Sequence, residues 1–394
     1  MDQSTFRLGF LVGMIGLIFL LLYRDRENVE RAGIMFYRRT GKGLHLIDRI
    51  AKKSPRLWNI YAWGGILAGI ISIPAMLYFV AEIIHKVIST GEPSSGAGLV
   101  YPSTGSTVSQ SPGAIGVPAE YWFISIAVLM VVHELSHGII ARAQDFEINS
   151  VGVIVLGVIP GAFVEPKGSG LPGNEGDKGK PHGAWNEGDW ISNIKVLAAG
   201  SWANYLTAGV FLVLAIGLTG ALTHSTGVVY QAQEEYPAAT AGMTNGTLTG
   251  IDNYTVRSLE DVQRATEDLD PGESVVLRTS EGNFSVTATE REGYEGGYIG
   301  IQFVQLDTEY NESVEGFSGF LGWFLGLFRV IAFLNLGIGL FNMLPAKPLD
   351  GGHILEAVVE RFLGEDAGSY VNAWSGIALL SLLVVLGYSI AVSL

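Results

Sequence analysis

His133 and His137 stand four residues apart with Glu134 beside the first, in the run HELSH, inside the apolar stretch Tyr121 to Ala143. Residues four apart on a helix lie one above the other, so both imidazoles can offer a nitrogen to one ion. Two histidines on a metal, and a glutamate placed to take a proton from the water that the metal activates, are parts for hydrolysing a peptide bond. The setting sharpens the signal. A charge at the centre of a bilayer helix costs about 2.5–3.5 kcal/mol, and such groups persist where they are paired, metal-bound or lining a wet cavity. A His-Glu cluster at a helix end with no metal is the plainer alternative. The chain contains no cysteine. Disulfides, thiolate zinc sites and thiol catalysis are therefore excluded, and any metal must rest on histidine and carboxylate.

A second polar constellation closes the apolar run Phe317 to Leu344: Asn342-Met343-Leu344-Pro345-Ala346-Lys347-Pro348-Leu349-Asp350-Gly351-Gly352. Two prolines and two glycines cannot continue a regular helix, so the chain must unwind there. Asp350 on this break can supply a third metal ligand, leaving a fourth position for water, or it can simply cap a following helix. Asn204 lies among apolar neighbours in the run Ile194 to Thr219. An asparagine so placed hydrogen-bonds another helix, touches substrate or orients a ligand.

The elements that must position these residues are membrane helices. Of 394 residues, 48% are hydrophobic and 16% charged, with a mean hydropathy of +0.34. That is too little charge to solvate a large soluble surface. The net charge of −14 and the lack of basic runs interleaved with aromatics leave nucleic-acid binding without support. The acid excess resembles that of salt-adapted proteins, or an ordinary soluble surface.

Six apolar runs predict a polytopic α-helical membrane protein: Phe6–Tyr23, Trp58–Ile84, Tyr121–Ala143, Ile194–Thr219, Phe317–Leu344 and Tyr370–Leu394. Basic residues follow the first run rather than precede it, as in an anchor and not a cleaved signal. Arg24 to Arg56 contains ten Lys and Arg and is expected on the cytosolic side. The N-terminus, the Ser-, Gly- and Pro-rich loop Gly91–Pro118, expected to be flexible, and the C-terminus then lie outside. His133 falls about 18 Å and His137 about 24 Å along a helix begun near Tyr121, in a core about 30 Å thick, so the site is expected toward the cytosol. Val151–Pro166 is too short and too broken to span, and its β-branched residues favour an extended hairpin, either re-entrant or on the surface. The polar Gly-rich segment Lys167–Asp189, with His182, is expected to be a mobile cytosolic loop.

Gly227–Phe303 differs in kind, being polar with short β-rich runs. Tyr236 to Val256 resembles the part of bacterial-type PDZ domains in which a short Pro-Ala-x-x-Ala-Gly helix precedes a strand and a hairpin turn, here near Asp252-Asn253. A helix over 258–266 and strands over 274–279, 284–288 and 298–303 complete the expected α+β domain. Such a domain binds an extended peptide at a sheet edge. The division expected is 1–120 for the first two helices with the basic cytosolic and the external loop, 121–221 and 307–394 for the two halves of a catalytic membrane core, and 222–306 for the PDZ-like domain.

HELSHG in a membrane helix, GAFVEP after it, the PDZ-like insert and NMLPAKPLDGG together resemble the site-two protease family of intramembrane metalloproteases, across Tyr121 to Gly352. The resemblance implies one Zn2+ per chain held by His133, His137 and Asp350, with Glu134 as the catalytic base. It implies substrate contacts near Asn204, Asn342, Pro345 and Pro348, and substrates that are transmembrane segments already trimmed outside the membrane. Gly200-Ser201-Trp202-Ala203-Asn204 is similar to the family's Gly-Pro-x-x-Asn, with Ser201 in place of proline, and Pro-x-x-Pro replaces the Pro-x-Pro of some members. A cell-membrane location, the bilayer and a peptide ligand of the PDZ-like domain complete what it implies. A non-proteolytic scaffold binding peptides through that domain, or a transporter with a broken-helix metal site, are the readings from other classes.

Overall fold

The long helices carry the apolar composition that a membrane span requires. The computed structural model describes residues 3–93, 98–157, 159–167, 189–294 and 296–393. Six helices are long and apolar enough to span, each with a mean hydropathy of 1.8 to 2.2 over its most apolar window. They coincide with the six predicted runs. Two compact units form: 1–214 together with 326–394, and 215–325.

In the first unit, α1 (Gln3–Arg24) leads into a hairpin of β1 (Val29–Ala32) and β2 (Met35–Thr40), then α2 (Leu44–Lys53) and the long α3 (Pro55–Thr90). Next come β3 (Gly98–Ser103), β4 (Ser109–Ser111) and β5 (Gly113–Pro118), then α4 (Ala119–Ala143), which carries HELSH. Half of the apolar window of α4 is buried inside the protein, against 11% for α1. One face of the histidine helix is thus covered by protein, where a polar cluster can be satisfied. Arg7 of α1 and Glu120 at the start of α4 are both buried, and the Arg7 Nε donates to the two carboxylate oxygens at 2.9 and 3.1 Å. The pair sets the first turns of the two helices level.

Gly91–Pro118 was expected to be flexible, and the structure differs: β3 runs parallel to β5, and β4 pairs antiparallel with it. The glycine content there reflects close approach rather than freedom. At Gly113, φ is +75°, and a Cβ would meet the backbone oxygen of Leu386 at 2.9 Å.

The β-branched run after α4 forms the expected hairpin, β6 (Ile148–Leu156) and β7 (Ile159–Pro166). It is not a lone hairpin. β6 also pairs with β2, so residues 29–40 and 148–166 make one sheet in the order β1-β2-β6-β7. Helix α2 packs Ile47 and Ala51 against Ile139 of α4. Arg142, in the last turn of α4, bonds Asp48 of α2 and holds that carboxyl below its ordinary range. Residues 168–188, with His182, lie outside the described residues.

Helix α5 (Trp190–Leu222) leads into the second unit, whose strands are β8 (Thr223–Ala232), β9 (Asn245–Ile251), β10 (Tyr254–Thr255), β11 (Ser274–Thr279), β12 (Gly282–Thr287) and β13 (Ile301–Tyr310). The sheet order is β12-β11-β9-β8-β13, with β10 paired to β9. Two short helices, α6 (Pro237–Thr240) and α7 (Leu259–Thr266), accompany it. A capping box opens α7: Asp261 N–H donates to the Ser258 hydroxyl, and the Asp261 carboxylate accepts from the Ser258 N–H. The core is a cluster including Tyr230, Leu248, Ile251 and Leu277, all fully buried. The predicted elements are present, but β13 begins at Ile301 and continues to Tyr310, with Tyr298 bridging Thr289 instead.

The chain returns through α8 (Ser318–Asn342), unwinds over 343–349, and resumes in α9 (Asp350–Leu363) and α10 (Gly368–Ser393). A Cβ at Gly351 or Gly352 would overlap backbone of 343–347. Two glycines in succession therefore let α9 start against the loop that it follows.

Candidate metal centre

Asp350, more than 200 positions away in sequence, converges on the histidine pair of HELSH. His133 and His137, one helical turn apart on α4, bring their Nε2 atoms to 3.0 Å. Asp350, the first residue of α9, sets Oδ2 3.3 Å from His133 Nε2 and 3.4 Å from His137 Nε2. Among the described residues these three form the group able to hold a metal.

Whether a metal fits can be judged from the donors themselves. His137 Nδ1 lies 2.7 Å from the Val196 carbonyl oxygen, an acceptor only, so Nδ1 carries the proton and Nε2 presents a bare lone pair. The bare His137 nitrogen and the Asp350 carboxylate oxygen, 3.4 Å apart, are both acceptors, and a cation between them and His133 Nε2 would relieve their repulsion. Tetrahedral zinc with ligands at about 2.0–2.1 Å places its donors about 3.3–3.4 Å apart. The residues fit the ion.

The Asn204 side chain, fully buried on α5, approaches His133 Nδ1 with its amide nitrogen at 3.1 Å, while its Oδ1 has no partner. A half-turn of the amide exchanges the two atoms and puts Oδ1 on an Nδ1–H, which frees Nε2 of His133 as a ligand. Asn342, at the end of α8, points its amide nitrogen at His133 Nε2 (3.2 Å) and Asp350 Oδ2 (3.4 Å). Both asparagines therefore reach the cluster.

Glu134 is held from the strand side: the N–H of Val164 on β7 donates to its Oε2 at 3.0 Å. The next residue, Glu165, is 1% exposed and accepts from the Ser150 hydroxyl at 2.6 Å and from Arg39 Nε at 3.2 Å. Pro345 gives its carbonyl oxygen to the Trp374 indole N–H at 2.8 Å, and the N–H of Lys347 bonds the Ser375 hydroxyl at 2.8 Å. Pro345 and Pro348 thus lie in the loop joining α8 to the Asp350 helix, anchored on α10.

Gly200, given above only as the head of the segment leading to Asn204, and Ser136, given no role there, also shape the site. Gly200 of α5 lies against the imidazoles: a Cβ there would overlap His137 Nε2 and stand 2.6 Å from His133 Nε2. Ser136, inside HELSH, donates to the Ala199 carbonyl at 2.8 Å and accepts from Tyr61 of α3 at 2.8 Å. Together they fix how closely α5 approaches the histidine face of α4. Chain direction and packing decide such contacts, and residue type does not advertise them.

A helix-borne HExxH with a distant aspartate, among six apolar helices, defines a membrane metalloprotease. Residues 121–386 match the family model for Peptidase family M50, the site-2 protease family, and the chain belongs to that family. It is 26% identical over 369 residues to an uncharacterized protein of Methanocaldococcus jannaschii, covering 91% of this chain and 87% of that one. Proteins of Clostridium acetobutylicum and Clostridium perfringens, both named as candidate zinc metalloproteases, are 23% and 24% identical, each alignment covering 66% of this chain and 93% of the relative. The donor set and these relatives agree on Zn2+ as the metal.

Proposed function

We propose that the protein hydrolyses peptide bonds within or beside the transmembrane segments of membrane-anchored substrates. The observation that carries this is the convergence of His133, His137 and Asp350 next to a glutamate held by a strand. His133, His137 and Asp350 would hold Zn2+, which when bound would supply Lewis-acid activation of water near neutral pH. Glu134 takes the proton released by that water and delivers it to the leaving amine. Val164 N–H holds one carboxylate oxygen, so the other is turned to the reaction. Val196 and Asn204 keep the imidazoles aligned.

A helical substrate hides its carbonyls in its own hydrogen bonds and must be opened. β7 ends the sheet, with no strand beyond it among the described residues, and its free side can take an unwound substrate by strand addition. The loop 343–349, with Pro345 and Pro348, and Asn342 would flank such a substrate. We place the centre toward the cytosol, with both termini and the PDZ-like domain outside, from the ten basic residues of 24–56. On this reading the hairpin is re-entrant, and the PDZ-like domain meets the outer part of substrates or a separate peptide ligand. A scaffold without catalysis would have no use for a carboxylate fixed beside the histidine pair.

The test is Glu134→Gln, assayed on a model transmembrane substrate in vesicles together with metal content. Zinc should be retained while turnover falls by about 10²–10⁴. Near wild-type cleavage by a zinc-loaded variant would remove Glu134 as base.

A further inference from the structure

The exit of α1 from its apolar span meets the first hairpin in a cavity of about 310 Å³, and Phe19, Leu22, Tyr23, Arg26, Arg31 and Phe36 line it. We propose that this cavity binds the phosphate headgroup of an anionic phospholipid between Arg26 and Arg31, with the adjoining acyl chain against Phe19, Leu22 and Phe36.

Its place matches that ligand. The span of α1 ends at Arg24, so Arg26 and Arg31 stand where a bilayer changes from hydrocarbon to headgroup. The cavity is also two-ended. Phe19 and Tyr23 are 52% and 68% exposed, an apolar wall that free phosphate has no use for and an acyl chain covers.

The arginines are prepared rather than spent. Arg38 pairs with Asp25, and Arg39 with Glu30 and Glu165. Among the described residues no carboxylate pairs with Arg26 or Arg31, although Glu27 is exposed nearby. Arg31 Nε donates to the Gly33 carbonyl at 2.9 Å, which aims the guanidinium while leaving its terminal nitrogens available. Each guanidinium lies over a ring, Arg26 over Tyr23 at 5.1 Å and Arg31 over Phe36 at 5.8 Å. An arginine fork so fixed suits bidentate contact with a phosphate.

Charge complementarity points the same way. Residues 24–56 carry ten Lys or Arg against four Asp or Glu, while the rest of the chain carries fourteen against thirty-four. This is the most basic stretch of an acidic protein, and it adjoins a span. Arg31 and Phe36 face each other across the β1–β2 ladder, and β2 leads through β6 to β7. An occupied site therefore ties to the bilayer surface the far end of the sheet whose strand β7 holds Glu134 of α4.

The experiment titrates the full-length protein in detergent with phosphatidylglycerol, phosphatidylcholine or inorganic phosphate and counts retained adducts by native mass spectrometry. Phosphatidylglycerol should be retained in preference to phosphatidylcholine, and inorganic phosphate should not displace it. Arg26→Gln and Arg31→Gln should each weaken retention about fivefold, and the double variant about 25-fold. Lys52→Gln/Lys53→Gln, which removes equal charge from α2, should leave it unchanged. Equal retention of the two lipids by the wild type overturns the proposal without recourse to any variant. So does equal loss in the lysine control, which would mean diffuse attraction, or displacement by phosphate alone. Glu134→Gln should bind lipid as the wild type does, so this result stands apart from that of the hydrolysis assay.

Discussion

The N–H of Val164 and the Oε2 of Glu134 lie 3.0 Å apart, a backbone-to-carboxylate bond between β7 and the histidine helix. Any side-chain change at 164 except proline leaves that donor in place, so for those only a shift of the strand can withdraw it. The strand is set by Glu165 and, through it, by Arg39 on β2.

Arg39→Met should therefore lower kcat with little change in KM, and lower stability by about 3–5 kcal/mol, because it leaves the Glu165 carboxylate buried without its cation. Glu165→Gln added to it should recover much of both losses, since no buried charge then remains. Chemical denaturation and turnover of the two single variants and the double variant form the cycle that measures this. Simple addition of the two losses would show that the side chains act separately.

Asp350→Ala should lower zinc content more than Asn342→Ala. The first removes an anionic ligand, the second a neutral amide that only donates into the cluster. Equal zinc in the two purified variants counts against Asp350 as ligand.

Gly200→Ala puts a methyl group where the imidazoles already are. One or both rings must turn, and zinc affinity should fall by about 10–100-fold, the usual range when a ligand loses its supporting surroundings. Zinc retention against a graded chelator reads this directly, with circular dichroism to show that the helices persist. Unchanged affinity would mean that α5 moves away at no cost to the site.

The second unit can be removed along a line that its own pairing supplies. The β8–β13 ladder starts where Thr223 faces Tyr310, and a few pairs further along Gly227 faces Asp307. A short Gly-Ser turn joining Gly227 to Asp307 should close a two-stranded stub. If the domain filters substrates by the size of their outer part, cleavage of a short transmembrane substrate should persist and that of one with a bulky ectodomain should rise. A fall in turnover of the short substrate by a zinc-loaded, folded variant would show instead that the domain captures substrate.

The chemical residues were legible because their relations are local or punctuated. His133, Glu134 and His137 share one helical turn, and the prolines and glycines around Asp350 mark a break in an apolar run. The apolar runs likewise announce the six spans. What stayed hidden depends on distant backbone. Arg39 and Glu165 are 126 positions apart, and no periodicity links them. Val164 contributes an N–H that every residue but proline has. The strands within 98–118 escaped notice because glycine and proline, which ordinarily signal loops, here serve the contact of β5 with α10.

The N-terminal hairpin gives the protease body a different border from the one that family similarity draws. The matched region begins at residue 121. Yet Arg39 bonds Glu165 and Tyr61 bonds Ser136, two fastenings whose upstream partners precede it, and Arg7 bonds Glu120, which stands just before it on helix α4. The part of this chain that could be transplanted as a working module therefore begins at α1. A graft cut at 121 would transfer the reactive groups and leave behind the framework that keeps them in register.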